Sequence, residues 1–359
     1  MIPSAPVDYV WSVLCGAGLE PGLVAYGNPA EVPESARLVV VPSGFFEGGS
    51  YGQPASLPTL PLAGIEGVPL LFGTPRVEWK GKTLVVHADI VASAYFLLTR
   101  YEEWVRRDTR DEHGRFLGRE SLSYRARFAD RPIVDEYGCL LRKWLREAGA
   151  AIPEPPARFR KIYLQHDVDK PWAWHSFRSA VAVTANYLLH EPRRFLDPLL
   201  SYYGLRHGRD PLDCFEWVMA QDGRLRQSLG AEVVDPAWFF LVGGGHRHDR
   251  TCYLDDRRMR WLIDLAKRAD ARIGLHSSYA AGMDPNRIAA EKARLEQATG
   301  VRVTWNRHHY LAQREPGDLA ALEAAGITDD FGMGYADLAG FRLGTSQSVP
   351  WFDPASMRQ

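Results

Sequence analysis

The stretch RKIYLQHDVDK, residues 160–170, gives the clearest indication of how the second half of the chain folds. Apolar residues alternate with polar ones along it, and this period of two predicts a β-strand. The strand ends in Asp167 and Asp169, although aspartate is depleted in strands and a buried carboxylate needs a partner or a metal. In an extended chain the two residues share a face, with Cα atoms about 6.6 Å apart. The end of this strand therefore predicts a functional site.

The bulk composition is that of a globular protein. A length of 359 residues predicts two domains, and a formal charge of −1 without basic clusters gives no basis for nucleic-acid binding. The four cysteines form no C-x-x-C pair and are expected to be reduced thiols. No apolar stretch reaches the roughly 18 residues of a membrane span, and the start of the chain lacks the basic region of a secretory signal. We therefore expect a cytoplasmic protein without a transmembrane segment.

Two parts of the chain differ in their pattern. Residues 1–151 mix short strands and helices and predict a smaller α+β domain of unknown role, and a Pro-rich linker is expected over 152–160. Residues 161–359 alternate strands with helices, which is typical of a parallel sheet with right-handed crossovers. The first part is expected to hold strands at 36–44 and 69–73, a hairpin at 77–89 and helices at 89–107 and 133–149. The second part is expected to hold strands at 161–167, 237–242, 271–276 and 301–306 and helices at 255–269, 285–299 and 317–325.

An insert of about 171–235 separates the first two strands of the second part. Basic and aromatic residues alternate with leucine in HSFRSAVAVTANYLLHEPRRFLDPLLSYYGLRHGRD. A lid of packed helices is the favoured interpretation, because long loops with their own structure are commonly functional. A helix that lies on a membrane surface is the alternative, and it would make a peripheral membrane contact.

Polar residues follow three of the strands expected in the second part. The sequences are HDVD at 166–169, HSSY at 276–279 and NRHHY at 306–310. Ligands of parallel α/β folds lie at the carboxyl ends of the strands. A single histidine there is more often structural, but three such clusters at one sheet edge indicate a site. Carboxylate, imidazole and guanidinium groups together are the ingredients of a metal-assisted hydrolase.

At these residues the chain resembles the polysaccharide deacetylases, which are metal-dependent enzymes that remove acetyl groups from N-acetylated sugars. The resemblance implies a distorted, incomplete (β/α) barrel for residues 161–359. Their first motif is Asp-x-Asp in one branch, which implies that Asp167 is the base and Asp169 a metal ligand. His276 matches the first half of their second motif, His-Ser/Thr-x-x-His, and is implied to be another ligand.

Further segments carry the same resemblance. Arg307 and Tyr310 match the third motif, in which an arginine orients the base and the backbone N–H of the aromatic residue is an oxyanion donor. Residues 329–353 resemble a subgroup with Gly-Phe-Arg-x-Gly-Thr, which implies a substrate or structural contact for Arg342. That subgroup also has an N-terminal domain of unassigned role, which contains sequences similar to the segments ASAYFLLTRYEEW and DEHGRF of this chain. The residues assigned to substrate contact are Arg342, Tyr279, His308 and Trp305.

The chain departs from the family pattern at two places. Ala280 stands where the second metal histidine is expected, so we expect His309, with His308 beside it, to complete the ligand set. The family's last motif holds a histidine that protonates the leaving amine, but no histidine follows Tyr310. His166, His308 or a group in the insert would have to replace it.

Three hypotheses follow. The first is a metal-dependent deacetylase of a bacterial cell-envelope polysaccharide, or of a nucleotide- or lipid-linked sugar, with one divalent metal: zinc first, then cobalt, manganese or nickel. The second is a glycan-binding or assembly protein that has lost the chemistry. The third is a different metal hydrolase built on His246-x-His248, although the glycines of GGGHRHD (243–249) make a mobile loop the favoured interpretation there. Glu102 and Glu103 are expected on the solvated face of a helix.

Overall fold

The computed structural model describes residues 3–16, 22–33, 35–153, 160–249, 254–314 and 316–359. They form two compact units. The first comprises Met1–Pro155, Gln313–Leu319 and Met333–Gln359, and the second comprises Pro156–Ala312 and Ala320–Gly332. The division falls inside the expected linker, of which residues 154–159 lie outside the described part of the chain.

Helices and strands of the described residues are numbered in chain order. The helices are α1 (Ser4–Cys15), α2 (Ile90–Leu98), α3 (Tyr101–Val105), α4 (Leu122–Arg125), α5 (Ile133–Glu147), α6 (Phe177–His190), α7 (Asp197–Tyr202), α8 (Phe215–Leu229), α9 (Arg257–Arg268), α10 (Tyr279–Met283), α11 (Arg287–Thr299) and α12 (Leu319–Ala324). The strands are β1 (Val24–Tyr26), β2 (Leu38–Val40), β3 (Ala63–Ile65), β4 (Val68–Leu70), β5 (Gly73–Lys80), β6 (Thr83–Ala88), β7 (Ile162–Val168), β8 (Val234–Leu241), β9 (Arg272–Ser277), β10 (Trp305–His308) and β11 (Asp329–Asp330).

The first unit is built on a four-stranded sheet in the order β1-β2-β6-β5. Its first three strands are parallel, and β5 and β6 form the hairpin expected at 77–89. The helix expected at 89–107 is interrupted, because Arg100 adopts a left-handed conformation with φ 56° between α2 and α3. The helix expected at 133–149 is α5.

The last residues of the chain belong to the first unit, whereas the sequence placed them in the second. Phe352 is 2% exposed, and its ring lies 4.8 Å from that of Tyr9 and 5.6 Å from that of Tyr95. The Tyr9 hydroxyl donates a hydrogen bond of 2.9 Å to the carbonyl of Pro350. Burial of this aromatic residue therefore attaches Met333–Gln359 to the core around α1 and α2.

The second unit contains a five-stranded, wholly parallel sheet in the order β11-β10-β9-β8-β7. Each strand pairs with the next one along the chain, and the helices lie between them in sequence. Strands spaced about 4.8 Å apart would hold β7 well away from β11 in a flat sheet. Instead, the Tyr163 ring of β7 lies 5.6 Å from that of Trp305 and 5.4 Å from that of Phe331. The sheet is therefore curled, and its shape is compatible with an incomplete β/α barrel.

The pleat of this sheet separates two sets of side chains. Residues in register on parallel strands share a face, and the register joins Asp167, Phe239 and Gly274 across β7, β8 and β9. His276 and Arg307 are also in register, two residues beyond Gly274 and Trp305 on their strands. A Cβ at Gly274 would overlap the Phe239 ring, so glycine allows this ring to fill the concave face. The floor of this concave surface is aromatic and is formed by Tyr163, Phe239, Trp305 and Phe331. The polar strand ends lie above it.

The insert between β7 and β8 is helical, as expected from the sequence. It holds α6, a 3₁₀ turn at Pro192–Arg194, α7 and α8. None of the helices in the described ranges is both long and apolar enough to cross a membrane.

Candidate metal and catalytic site

Three side chains meet above the concave face of the curled sheet. Asp169 directly follows β7, His276 lies on β9, and His309 directly follows β10. One ligand atom from each residue lies within 4.8 Å of the other two. The structure thus brings together the three residues assigned as metal ligands, including His309 in place of the alanine at position 280.

The distances between these ligand atoms suit a small cation. His276 Nε2 lies 2.9 Å from Asp169 Oδ1, and His309 Nε2 lies 3.7 Å from Asp169 Oδ2. Bonds of 2.0–2.1 Å in a tetrahedral zinc site place ligand atoms roughly 3.3 Å apart, and the two distances bracket that value. The Asp169 side chain is 41% exposed, which leaves one side of the cluster open to a further ligand.

The tautomer of His276 follows from its second contact. Its Nδ1 lies 2.7 Å from the carbonyl oxygen of Arg307, which can only accept a hydrogen bond, so Nδ1 carries a proton. The Nε2 atom of the neutral ring then directs a lone pair at the Asp169 carboxylate. Two lone-pair donors this close require either a second proton on the imidazole or a cation between them. The residues present therefore fit a metal.

His309 is held in the same manner by a residue that the sequence reasoning missed. Its Nδ1 lies 3.5 Å from Oδ1 of Asp249, whose side chain has no exposed surface. The Asp249 carboxylate also accepts hydrogen bonds from the backbone N–H groups of Tyr279 and Ala280, at 2.7 and 3.1 Å, at the start of α10. Metal-binding histidines commonly have such a carboxylate or carbonyl on their other nitrogen. Asp249 follows β8, whose carboxyl end lies at the same edge of the sheet, and this position could have identified it from the sequence.

The carboxylates of Asp169 and Asp249 are both held in the ionised form. Burial raises the pKa of Asp169. When the imidazole carries the second proton, the hydrogen bond from His276 and the charges of His276, His309 and Arg307 outweigh burial and lower that pKa below its usual range. Burial likewise opposes ionisation of Asp249, and the hydrogen bonds from His309 and the two backbone amides lower its pKa overall. Ionised oxygens are the form in which carboxylates bind metals and orient imidazoles.

Asp167 lies beside this cluster and is oriented by Arg307. The Arg307 Nε donates a hydrogen bond of 3.0 Å to Asp167 Oδ2. Its Nη1 donates to the side chain of Gln165 at 2.7 Å and to the carbonyl of Phe331 at 2.8 Å, which fixes the guanidinium. Asp167 Oδ1 lies 4.0 Å from His276 Nδ1. This carboxylate is therefore next to the ligand cluster and held by a cation, and it is 32% exposed.

The backbone after β10 is strained. Tyr310 has φ 61° and ψ 9°, and Leu311 also has a positive φ of 50°. Left-handed conformations cost a residue other than glycine about 1–2 kcal/mol, and they concentrate at binding and catalytic sites. The turn directs the chain away from β10 directly after His309.

Tyr279 and Tyr310 line this region together with the histidines of the GGGHRHD segment. The Tyr279 ring is 5% exposed and stacks on His246 at 4.5 Å, and it lies 5.4 Å from the Tyr310 ring. His248 Nδ1 lies 3.4 Å from the Tyr310 hydroxyl. Neither His246 nor His248 belongs to the three-residue ligand cluster.

Three further assignments from the sequence do not lead to this cluster. His308 is 3% exposed and lies 3.1 Å from Asn306 on the face opposite Arg307, and Trp305 packs in the aromatic floor. His166 lies on the outer face of β7, where its Nε2 is 2.9 Å from Asp222 of α8. Alternate residues of a strand face opposite ways. His166 directly precedes Asp167 and His308 directly follows Arg307, so both histidines lie on the opposite face of the sheet. Both histidines therefore point away from Asp167, and His308 and Trp305 are buried.

Arg342 and Glu103 form a buried ion pair in the first unit. Arg342 is 5% exposed and donates to both carboxylate oxygens of Glu103, at 2.8 and 2.7 Å. Arg100 donates to the same carboxylate at 2.9 and 2.6 Å. Glu102 is buried as well, paired with Arg106 and Arg125. The expected solvated face for the two glutamates is wrong, and the contacts give Arg342 a structural part instead of a substrate contact.

Comparison with known proteins places a family only on the first unit. A model of a family of unknown function, DUF7033, matches residues 30–150 and includes none of the strand-end residues. No curated protein and no solved structure matches the chain.

Proposed function

We propose that the second unit is a metal-dependent hydrolase that removes an acetyl group from an N-acetylated sugar or glycan precursor. The observation that carries this proposal is the cluster of Asp169, His276 and His309. Both imidazoles present Nε2 to one carboxylate while their Nδ1 atoms are held by Arg307 O and Asp249. Such contacts on the second nitrogen are common among metal-binding histidines, which supports a metal site here.

The three residues would hold one divalent cation, with zinc as the first choice and cobalt, manganese or nickel as alternatives. Two imidazoles and one carboxylate are a ligand set that catalytic zinc sites use. When bound, such a cation supplies Lewis-acid chemistry for hydrolysis of an amide by water.

The residues around the cluster have separate roles in this reaction. Asp167 accepts the proton of the attacking water at its carboxylate, and Arg307 orients that carboxylate through the 3.0 Å hydrogen bond. Asp167 then returns the proton to the nitrogen of the leaving amine, since His166 and His308 face elsewhere. The backbone N–H of Tyr310, in its strained turn, is the oxyanion donor. Tyr279 contributes to the wall beside the sugar.

The proposal extends to the fold of the second unit. The wholly parallel, sequentially ordered and curled sheet supports an incomplete (β/α) barrel of the polysaccharide deacetylase type. Asp167 and Asp169 lie at the end of its first strand, His276 at the end of the third and Arg307 on the fourth, and this distribution supports the proposal.

Release of free acetate tests the function directly. We expect zinc-loaded protein to release acetate from N-acetylated hexosamine oligosaccharides, with the activity lost on chelation and restored by added zinc. Zinc-loaded protein that binds these sugars without releasing acetate would instead support the glycan-binding alternative, which the alanine at position 280 motivates. Release that is unaffected by complete metal removal would contradict the proposed chemistry.

The Asp249→Asn variant is expected to bind zinc about 10–100-fold more weakly than the wild type, which is the usual effect of losing an outer-shell partner of a metal ligand. An asparagine side chain keeps one acceptor oxygen for the backbone of α10 but carries no charge to hold His309. Zinc affinity can be measured by competition with a chromogenic chelator. The matched control is the double variant His246→Ala/His248→Ala in the same segment, which should keep wild-type affinity. Loss of zinc in that control with retention in Asp249→Asn would move the metal site to the two histidines.

A further inference from the structure

Helix α6 in the insert presents an apolar surface outward. Within its 14 residues Ala180 alone is buried among those described. Phe177, Val181 and Leu188 fall at helical spacings of four and seven residues and are 51%, 41% and 56% exposed, and the adjacent Leu189 is 78% exposed. We define these four residues as the outer face of α6. An amphipathic helix of a globular protein normally turns such residues toward the core. A contiguous exposed apolar surface of this kind marks an interaction site.

The part of the insert that contains the outer face carries more positive than negative residues. Residues 175–210 contain five arginines and three acidic residues, in a chain whose formal charge is −1. Two of those acidic residues, Asp197 and Asp210, are 1% and 4% exposed and are therefore withdrawn from the surface. Arg178, Arg193 and Arg209 are exposed. The surface thus combines exposed large apolar side chains with an excess of exposed positive charge.

We propose that the outer face of α6 binds the surface of a bilayer that contains anionic phospholipid. Aromatic and leucine side chains beside arginines are the pattern of helices that lie in the plane of a membrane interface, with apolar groups among the acyl chains and cations at the headgroups. At 1.5 Å per residue, α6 is about 21 Å long, which suits a helix lying along the surface. A symmetric contact between two copies would bring the arginine-rich surfaces together, and like charges would oppose it. The charge therefore favours an anionic surface over a second copy.

Sedimentation of the full chain with vesicles tests this proposal independently of metal and activity. We expect the protein to sediment with vesicles of phosphatidylcholine and phosphatidylglycerol, and to bind vesicles of phosphatidylcholine alone at least tenfold more weakly. Leu188→Glu/Leu189→Glu should reduce binding to the anionic vesicles at least tenfold. Arg178→Ser and Arg193→Ser should each reduce it about fivefold, in line with the usual attraction of one arginine to an anionic surface.

The control variant is Trp79→Glu, which changes an exposed apolar residue of β5 in the first unit and should leave vesicle binding unchanged. All three α6 positions are exposed, and circular dichroism verifies that the variants remain folded. Equal binding to neutral and anionic vesicles, or equal binding by wild type and the double glutamate variant, would overturn the proposal. So would a dimer, without vesicle binding, that the same double variant dissociates.

Discussion

Asparagine in place of Asp167 is expected to reduce acetate release by about 10²–10⁴-fold, the contribution of a positioned general base. The substitution keeps the size of the side chain and the hydrogen bond that Arg307 donates to Oδ2 at 3.0 Å. It removes the basic oxygen that accepts a proton from water and returns it to the leaving amine. Zinc affinity should stay close to that of the wild type, because Asp167 is not one of the three proposed ligands.

The comparison requires a matched carboxylate that lies elsewhere in the same unit. Asp222 pairs with His166 at 2.9 Å on the outer face of the sheet, so Asp222→Asn should retain acetate release within a small factor. Both variants are assayed with zinc bound, under conditions in which the wild type releases acetate. If Asp167→Asn remains fully active with zinc bound, Asp167 is not the base.

Glutamine in place of Glu103 is expected to destabilise the first unit by about 3–5 kcal/mol, the usual effect of removing one partner from a buried ion pair. Glu103 is 4% exposed and accepts hydrogen bonds from Arg100 and Arg342, so the substitution leaves two buried guanidinium groups without their common carboxylate. Urea unfolding followed by circular dichroism measures the change. Glu147→Gln is the control, because the ion pair of Glu147 with Lys143 is about half exposed and should hardly alter the midpoint.

The pH dependence of stability provides a second readout for Glu103. Burial raises its pKa, but the charges of Arg100 and Arg342 outweigh burial and hold the pKa at about 2, against an ordinary value of 4.5. Because the folded-state pKa is depressed, the stabilisation is complete above pH 4.5 and is lost as the pH falls toward 2. The wild type should therefore lose stability over that interval, and Glu103→Gln should lose less. Identical acid profiles for the two proteins would contradict this role of Glu103.

The strand ends were predictable because their chemistry is local. Alternation identifies β7, and parallel strands with crossovers bring the residues after their carboxyl ends to one edge. His276 and His309 could therefore be placed near Asp169 without knowledge of any contact. Asp249 was not predicted because its role depends on how residues 243–249 return to His309 and α10. A Cβ at Gly243 would overlap the Glu291 carboxylate, a close packing that alternation does not reveal.

Other differences arise where tertiary contacts override a local pattern. The strand expected at 301–306 begins only at Trp305, since the backbone N–H of Val303 donates to Glu296 at 2.9 Å instead of joining the ladder. Glu103 is a charged residue within a segment predicted to be helical, and such residues are usually exposed. Its arginine partner at position 342 lies 239 residues away in the sequence. Pairings at that separation leave no periodic signal, so the buried ion pair and the attachment of the C-terminal segment were not foreseen.

Zinc binding by the His309→Ala variant tests the central claim most directly, because His309 is the ligand that replaces the histidine absent from position 280. Isothermal titration should give one zinc ion per chain for the wild type. His309→Ala should bind zinc more than about 100-fold more weakly, since losing a ligand exceeds the 10–100-fold effect of losing its outer-shell partner. His308→Ala, which changes the neighbouring imidazole on the other face of β10, should retain wild-type affinity. Unchanged zinc binding by His309→Ala, or no zinc binding by the wild type, would contradict the proposed metal centre.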